Sequence, residues 1–287
     1  MVLASLRRKV VVTLAAAAAA GALLLAAPAR AAACGDDADG FDAWLASFKQ
    51  DATREGISPE VVSSALADVA YDDSVISHDR GQRAFQQSFA QFSAKRITAF
   101  GLKKGKSLLL RHAAALHVIE RRYGVPGPVL VAIWGLETGF GASSGNFQTF
   151  SALATLAYDC RRSERFRAEL IDALKIVQRG DLEPSQMRGA WAGEIGQTQF
   201  MPSSYLKYAV DVGGDRAGDV INNAEDALAS TANFLHANGW QAGVGWDEGD
   251  PNFAALLEWN KAPVYAKTIA VFADRLAAAS AANGEEQ

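Results

Sequence analysis

The segment VLVAIWGL at residues 129–136 constrains the fold most, because it is apolar on every side of a helix. Pro126 and Pro128 lie at its start, where proline is favoured, and a glycine follows soon after Glu137 at its end. A helix without a polar face must be covered by other elements on most of its surface. The chain therefore requires several helices packed around this one, and 287 residues suffice to build such a core.

Helical periodicity covers most of the remaining chain. One stripe at helical spacing consists of Phe41, Trp44, Leu45 and Phe48. Further helices are predicted at residues 106–123, 151–158, 163–177, 223–237 and 263–279. Only residues 189–200 have neither a helical nor a strand period, and their glycines and polar residues indicate turns and short strands. The sequence therefore predicts a mostly α fold of the α+β class with a small β element.

The first 32 residues have the pattern of a secretory signal peptide. Residues 7–9 are basic, residues 10–27 are uncharged and apolar, and residues 29–31 form a small-x-small cleavage sequence. A membrane anchor is the alternative, because the run is close to spanning length, although Ala and Gly dominate it. The signal peptide predicts an exported, periplasmic protein.

The mature chain is expected to form one domain at residues 33–287, since no repeat and no linker rich in Pro or Ser interrupts it. Within it we expect a helical N-terminal lobe at about residues 40–125 and a core at about residues 126–280. No later stretch is apolar enough to predict a stable membrane span.

Charge excludes one large class of partner. Removing residues 1–32 leaves 24 Lys and Arg against 32 Asp and Glu, a net charge of −8. General nucleic-acid binding requires a basic surface. No nucleic-acid partner is therefore expected.

The chain has two cysteines, Cys34 and Cys160. In an oxidising compartment an even pair predicts a disulfide, which would join the mature N-terminus to the middle of the domain. Lipidation of Cys34 is the less favoured alternative, because small residues precede it but the usual Leu three places earlier is absent. Two cysteines do not form a zinc site by themselves.

Glu137 is a carboxylate at the end of an otherwise apolar helix, and the packing of that helix gives no reason for an acid at this position. A carboxylate at the end of an apolar helix is costly without a partner, and the helix dipole disfavours negative charge at a C-terminus. Both effects raise the pKa of the carboxyl and favour its protonated form. A protonated carboxylic acid beside a cleft suits glycosidic cleavage, whereas a structural Glu bonded to Arg or to backbone is the alternative.

The residues that follow favour sugar binding. Gly139, Gly141 and Gly145 leave open backbone where a sugar ring can approach. Aromatic rings and amides bind neutral sugars by stacking and hydrogen bonding. Such side chains are present at Trp191, Gln197, Gln199, Phe200 and Tyr205.

Four segments stand in a characteristic order: WGLETGFG at 134–141, LATLAYD at 153–159, GAWAGEIGQTQFMPSSY at 189–205 and DALASTANFL at 226–235. Together they resemble the membrane-bound lytic murein transglycosylase B family, over roughly residues 41–246. The resemblance implies a lysozyme-like α+β core, with the small β element lining a glycan-binding cleft.

The resemblance also implies a reaction on peptidoglycan glycan strands. Glu137 would protonate the oxygen between N-acetylmuramic acid and N-acetylglucosamine and then act as base on the muramic acid 6-hydroxyl. That hydroxyl attacks its own anomeric carbon and leaves a 1,6-anhydro end, so no water and no second carboxylate are needed. The expected substrate-binding residues are Gln199, Phe200, Trp191, Tyr205, Asn233 and Phe234.

The chain departs from the family pattern at two positions. Ala190 replaces a Ser that many members place near the catalytic Glu, and Glu194 replaces a frequent Ala. We interpret Glu194 as a surface or structural residue, because most Glu side chains are exposed. A charge partner for Glu137 and a sugar ligand are the alternatives.

A loop at residues 211–222 resembles a damaged calcium loop. Its weak candidate ligands are Asp211, Asp215 and Asp219, and Asp226 is added if the loop is longer than standard. A glycine and an arginine interrupt the alternation of oxygen ligands, and Asn222 replaces the bidentate Glu at the twelfth position. A solvated acidic turn is therefore favoured, and no cofactor is expected.

Two alternatives to a lytic transglycosylase are open. A hydrolytic muramidase would cleave the same bond with water, using Glu194 or Asp159 as a second carboxylate. A non-catalytic peptidoglycan-binding module would need no catalytic acid, so the presence of Glu137 within its motif argues against that alternative.

Overall fold

The computed structural model describes residues 34–81, 88–214 and 218–284, and this part of the chain contains thirteen α-helices and one small sheet. In chain order the helices are α1 Phe41–Arg54, α2 Pro59–Ala65, α3 Asp73–Arg80, α4 Phe89–Arg96, α5 Ala99–Arg111, α6 Ala113–Tyr123, α7 Gly127–Thr138, α8 Thr149–Tyr158, α9 Ser163–Gln178, α10 Pro202–Tyr208, α11 Ala224–Ala237, α12 Phe253–Trp259 and α13 Pro263–Gly284. The signal-peptide prediction lies outside the described residues.

The sheet consists of β1 Phe147–Gln148 and β2 Arg188–Gly189, which pair antiparallel. Phe147 lies opposite Gly189 and Gln148 opposite Arg188. Gly189 is required here, because a Cβ at this position would lie 1.7 Å from the carbonyl oxygen of Glu194. The mostly α fold with a small β element is thereby confirmed.

Helix α7 is the buried helix that the sequence predicts. Pro126 is its N-cap residue, Pro128 lies in its first turn, and Gly139 ends it with a left-handed φ of 60°. It packs against α5, α6, α11 and α13. The side chains of residues 129–133 are fully buried, which stabilises the fold by roughly 1.5–3 kcal/mol for each large aliphatic side chain.

The core consists of two hydrophobic clusters. In the first, α1, α2 and α3 pack with α8, α9 and α10. In the second, α5, α6 and α7 pack with α11, α12 and α13. Each cluster combines helices from both sides of residue 126, so the proposed lobe and core share both clusters.

One helix boundary differs from the sequence pattern. The helix predicted at residues 106–123 is two helices, α5 and α6, which meet at His112. The His112 ring lies edge-on to Trp134 of α7, and its Nδ1 lies 3.1 Å from Glu225 Oε1 at the start of α11. His112, the residue between α5 and α6, thus contacts two other helices.

The predicted disulfide between Cys34 and Cys160 is present, with the Cα atoms 4.9 Å apart. The Gly35 amide donates to the Tyr158 carbonyl at 3.0 Å beside it. The bond fixes the first described residues against the C-terminal end of α8. Lipidation of Cys34 requires a free sulfur atom, whereas the Cys34 sulfur is bonded to Cys160.

None of the helices in the described ranges combines the length and the apolar character that a membrane crossing requires.

We predict that Cys160→Ser lowers the free energy of unfolding by roughly 4–5 kcal/mol, because the disulfide closes a loop spanning 126 residues. Denaturant unfolding of the unreduced protein measures the loss. The double variant Cys34→Ser/Cys160→Ser is the control and should lose a similar amount. Two free thiols in the denatured, unreduced protein, or a lipid on Cys34, would contradict the assignment.

Candidate active site

The carboxyl group of Glu137 is held by two donors that come from distant parts of the chain. Trp259 Nε1 donates to Glu137 Oε1 at 3.0 Å, and Tyr265 OH donates to the same oxygen at 2.8 Å. Glu137 lies in the last turn of α7, Trp259 ends α12, and Tyr265 lies in the first turn of α13. Three helix ends therefore meet at one carboxylate oxygen.

Burial raises the pKa of Glu137 from 4.5 to about 7. The hydrogen bonds from Trp259 and Tyr265 favour the charged form and lower the pKa, whereas the negative charge of Glu194 raises it. The increase in the pKa caused by removal from water is larger than the decrease caused by the two hydrogen bonds. Near neutral pH the carboxyl is thus poised between its protonated and ionised forms, as a group that both donates and accepts a proton must be.

A tight reversal directly after α7 fixes the orientation of Glu137. Gly139, Phe140 and Gly141 all have positive φ angles, between 60° and 76°. Thr138 Oγ1 accepts from the Gly141 amide at 2.8 Å and donates to the Gln197 carbonyl at 2.6 Å. The residue next to Glu137 therefore ties the helix end to the segment at residues 190–200.

That segment folds into a rigid turn. Ile195 and Phe200 exchange two backbone hydrogen bonds, at 2.8 and 2.9 Å. Gly196 and Gln199 have left-handed φ angles of 78° and 57°, a conformation that glycine adopts readily and glutamine rarely. Gln199 Nε2 donates to the Gly196 carbonyl at 2.7 Å and to the Ser144 carbonyl at 3.1 Å, and these bonds hold its unusual backbone in place.

Glu137 opens onto a cleft of about 960 Å³. The Gln199 turn forms one part of its lining, and the segment from Glu258 to Val264 forms another. Phe234 and Trp259 pack edge to face, with ring centroids 5.1 Å apart. The cleft thus combines the Glu137 carboxyl of raised pKa with aromatic surface and amide groups.

Three of the six predicted substrate-binding residues line this cleft together with Glu137: Gln199, Phe200 and Phe234. Phe200 is almost fully buried, and its ring packs edge-on against Trp259 at 5.5 Å. Phe200 therefore shapes the wall of the cleft. Gln199 and Phe234 are partly exposed and accessible to a ligand.

The structure places the other three predicted substrate-binding residues elsewhere. Tyr205 is buried in the core, where its hydroxyl donates to the Gly218 carbonyl at 3.1 Å. Asn233 Nδ2 donates to the Tyr208 carbonyl at 3.0 Å. The Trp191 ring stacks on His78, with centroids 6.3 Å apart. None of these three is among the described residues that line the cleft, and their role in substrate binding stays a prediction.

Glu194 lies on the cleft and is partly buried, so of the predicted surface or structural roles the geometry favours the structural one. Its Oε2 accepts from the Ala192 amide at 3.1 Å, and burial raises the pKa of its carboxyl. Glu194 therefore supports the turn and adds negative charge to the cleft that contains Glu137.

Asp159 does not reach the cleft. It is buried beside the disulfide, and its carboxylate accepts from Arg80 at 2.6 Å and from the Arg161 amide at 2.9 Å. These bonds outweigh the cost of burial and lower its pKa. Asp159 belongs to a structural ion network that also contains Asp79, so it is not available as a second catalytic carboxylate.

Two of the four candidate calcium ligands, Asp219 and Asp226, accept hydrogen bonds from the loop backbone. Asp226 accepts from the Val212 and Asp219 amides, both at 3.0 Å, and Asp219 Oδ1 accepts from the Asn222 amide at 2.8 Å. A cation would have to displace these donors, so the arrangement does not fit calcium. Asp215 lies outside the described residues, and within them no three Asp, Glu, His or Cys side chains converge as metal ligands.

Sequence reasoning missed Trp259 and Tyr265, the two donors to Glu137. Both follow the last quoted motif, and Trp259 belongs to α12, a helix of seven residues that the pattern did not reveal. The one available signal was Pro263, which marks the start of a helix soon after an aromatic residue. That signal does not indicate which element the aromatic ring contacts.

The model of the transglycosylase SLT domain matches residues 40–249, and the chain belongs to this family. Membrane-bound lytic murein transglycosylase B of Escherichia coli (strain K12) is 36% identical over 158 residues, which are 54% of this chain and 43% of that protein. The match therefore spans less than half of that relative. Trp259 and Tyr265 lie beyond the range of the family match.

Solved structures show the same fold. SltB3 from Pseudomonas aeruginosa, in complex with NAG-NAM-pentapeptide, has a TM-score of 0.79 at 32% identity, covering 83% of this chain and 79% of that one. The Escherichia coli lytic transglycosylase Slt35, in complex with calcium, has a TM-score of 0.73 at 24% identity, covering 88% and 97%. The lysozyme-like family fold predicted from the motifs is thereby confirmed.

We predict that Glu137→Gln changes how stability depends on pH. A carboxyl whose pKa is raised to about 7 in the folded state, against 4.5 as its ordinary value, stabilises the fold below pH 4.5. That contribution is lost as the pH rises to about 7, by at most roughly 3 kcal/mol. Gln does not ionise, so the variant should gain stability relative to the parent protein across this window.

Denaturant unfolding of both proteins at constant ionic strength, from pH 4 to pH 8, measures the difference. A difference that stays constant between pH 4.5 and pH 7 would show that the pKa of Glu137 is not raised.

Proposed function

We propose that the protein is a lytic murein transglycosylase, which cleaves the β-1,4 bond between N-acetylmuramic acid and N-acetylglucosamine and leaves 1,6-anhydromuramic acid ends. The observation that carries the proposal is the partly buried Glu137, with a pKa of about 7, on a cleft in a chain of this family. Peptidoglycan glycan strands are the proposed substrate and partner, and the periplasm is the proposed location.

Glu137 acts first as general acid. Its protonated carboxyl transfers the proton to the glycosidic oxygen as the bond to the anomeric carbon breaks. Trp259 and Tyr265 keep their bonds to Oε1, so Oε2, to which no described side chain donates, is the oxygen left for the substrate. The same two donors then stabilise the carboxylate that is left after the transfer.

The ionised carboxylate acts next as general base. It accepts the proton of the muramic acid 6-hydroxyl as that oxygen bonds to the anomeric carbon, which closes the anhydro ring and restores the protonated acid. The proton returns to Glu137 and no water is consumed. A pKa near the working pH suits a group that performs both steps.

Gln199 and Phe234 are the proposed sugar contacts. Gln199 Nε2 is occupied by two backbone carbonyls, so its Oε1 is the group that remains for a donor on the sugar, such as an acetamido N–H. Phe234 offers a ring face on the same cleft. The related SltB3 structure is a complex with NAG-NAM-pentapeptide, a peptidoglycan fragment, which supports this substrate class.

Hydrolysis by a muramidase mechanism is the second candidate, and Glu194 is the observation that favours it. A second carboxylate on the same cleft is the group that an attacking water would need as a base. The products separate the two reactions, because an anhydro end is lighter than a reducing end by one water.

Digestion of purified sacculi, followed by mass analysis of the released muropeptides, tests the proposal. Anhydro ends are expected from the parent protein. Glu137→Gln should lower the rate by roughly 10²–10⁴-fold, since Gln keeps the shape but has no transferable proton, while sacculus binding is retained. Reducing ends would establish the hydrolytic alternative, and near-normal turnover by the variant would exclude Glu137 as the acid.

We also predict that Gln199→Ala weakens substrate or transition-state binding by roughly 1–3 kcal/mol. Ala190→Ser is the matched control: it restores the hydroxyl common in the family and should be tolerated. Measurement of kcat/KM on soluble glycan fragments checks both variants. Equal values for Gln199→Ala and the parent protein would remove Gln199 from the substrate site.

A further inference from the structure

The exposed face of α5 combines large apolar and cationic side chains that do not line the cleft. Phe100 is 76% exposed and Leu110 is 71% exposed, which are the two largest values among the large hydrophobic residues described. Lys103, Ser107 and Arg111 are also exposed. At 3.6 residues per turn these five positions lie within about 100° of the helix circumference, so apolar and cationic side chains alternate on one surface, here named the α5 face.

The α5 face lies within the most basic part of the chain. Between residues 88 and 125 the only acid is Glu120, although the mature chain as a whole has a net charge of −8. The cations in this range are Lys95, Arg96, Lys103, Lys104, Lys106, Arg111, Arg121 and Arg122. Positive charge is therefore concentrated in one region of an acidic protein.

Ion pairing also differs between these eight cations and the other Lys and Arg residues of the described ranges. None of them forms an ion pair with a described carboxylate, whereas nine of the fourteen other described Lys and Arg residues do. Unpaired cations on an exposed helix are available to an external anionic surface.

The exposed apolar residues decide which kind of anionic surface fits. A polymer of carboxylates would attract the cations but would give Phe100 and Leu110 no apolar environment. A lipid bilayer offers both, because anionic headgroups bind Lys and Arg while aromatic and aliphatic side chains enter the boundary below the headgroups. We propose that the α5 face docks the protein on the surface of an anionic lipid bilayer.

Docking through this face would fix the orientation of the cleft. Lys104, on the same helix, donates from Nζ to the Gly139 carbonyl at 3.0 Å, two residues beyond Glu137. Helix α5 also packs directly against α7 and α13, which carry Glu137 and its donor Tyr265. A bilayer bound to α5 would hold the cleft at a constant angle to the membrane. The proposal concerns a surface outside the cleft and does not depend on the reaction proposed above.

Cosedimentation with vesicles tests the proposal, using the exported protein in every case so that any contribution of the N-terminus is the same. We expect binding to vesicles of equal parts phosphatidylglycerol and phosphatidylcholine, a decrease in binding with added salt, and little binding to pure phosphatidylcholine.

Two double variants separate the contributions of charge and apolar contact. Lys103→Glu/Arg111→Glu should weaken vesicle binding by about 25-fold or more, at about fivefold for each cation lost. Phe100→Ser/Leu110→Ser should weaken it by about tenfold or more. The matched control Lys49→Glu/Lys207→Glu reverses two cations outside the α5 face and should cost clearly less. All these sites are at least partly exposed, and circular dichroism checks that each variant is folded.

Two results would overturn the proposal. The first is vesicle binding that is equal for the parent protein, both α5-face variants and the control. The second is binding to sacculi, but not to phosphatidylglycerol vesicles, that depends on Lys103 and Arg111, because the anionic partner would then be the cell-wall polymer rather than a lipid surface.

Discussion

The hydrogen bonds from Trp259 and Tyr265 to Glu137 Oε1 are the interaction on which the site depends. An unpartnered carboxyl at the end of an apolar helix would destabilise the fold, and a fully compensated one would remain ionised near neutral pH. Two donors on one oxygen hold the group without cancelling the cost of burial. Its pKa consequently rises to about 7, a preference for the protonated form of roughly 3 kcal/mol relative to water.

The remaining architecture keeps this geometry fixed. Phe140 and Gln199 have left-handed backbone conformations that cost roughly 1–3 kcal/mol each, and both lie on turns next to the cleft. Thr138 links the helix end to the Gln199 turn through the Gln197 carbonyl. The strained turns are thus maintained by hydrogen bonds from the Thr138 and Gln199 side chains.

Local patterns were sufficient to predict part of this structure. The apolar run of α7 and its two prolines predicted a buried helix, and Glu137 was predicted to have a raised pKa from its position alone. Trp259 and Tyr265 were missed, because they lie 122 and 128 residues from Glu137 and no periodicity reports such a contact. Tyr205 was predicted to bind sugar as the aromatic residue that ends a motif, but a position in a motif does not reveal which face of a short helix is buried.

The fold holds Glu137 protonated at a pH where an ordinary glutamate is ionised. Carbon-13 NMR of the glutamate carboxyl carbons, with the Glu137 signal assigned by its absence in Glu137→Gln, measures the titration directly. The account predicts a midpoint near pH 7, where burial places it. A midpoint near the ordinary value of 4.5 would contradict it, because Glu137 would then be ionised at neutral pH and unable to act as the acid.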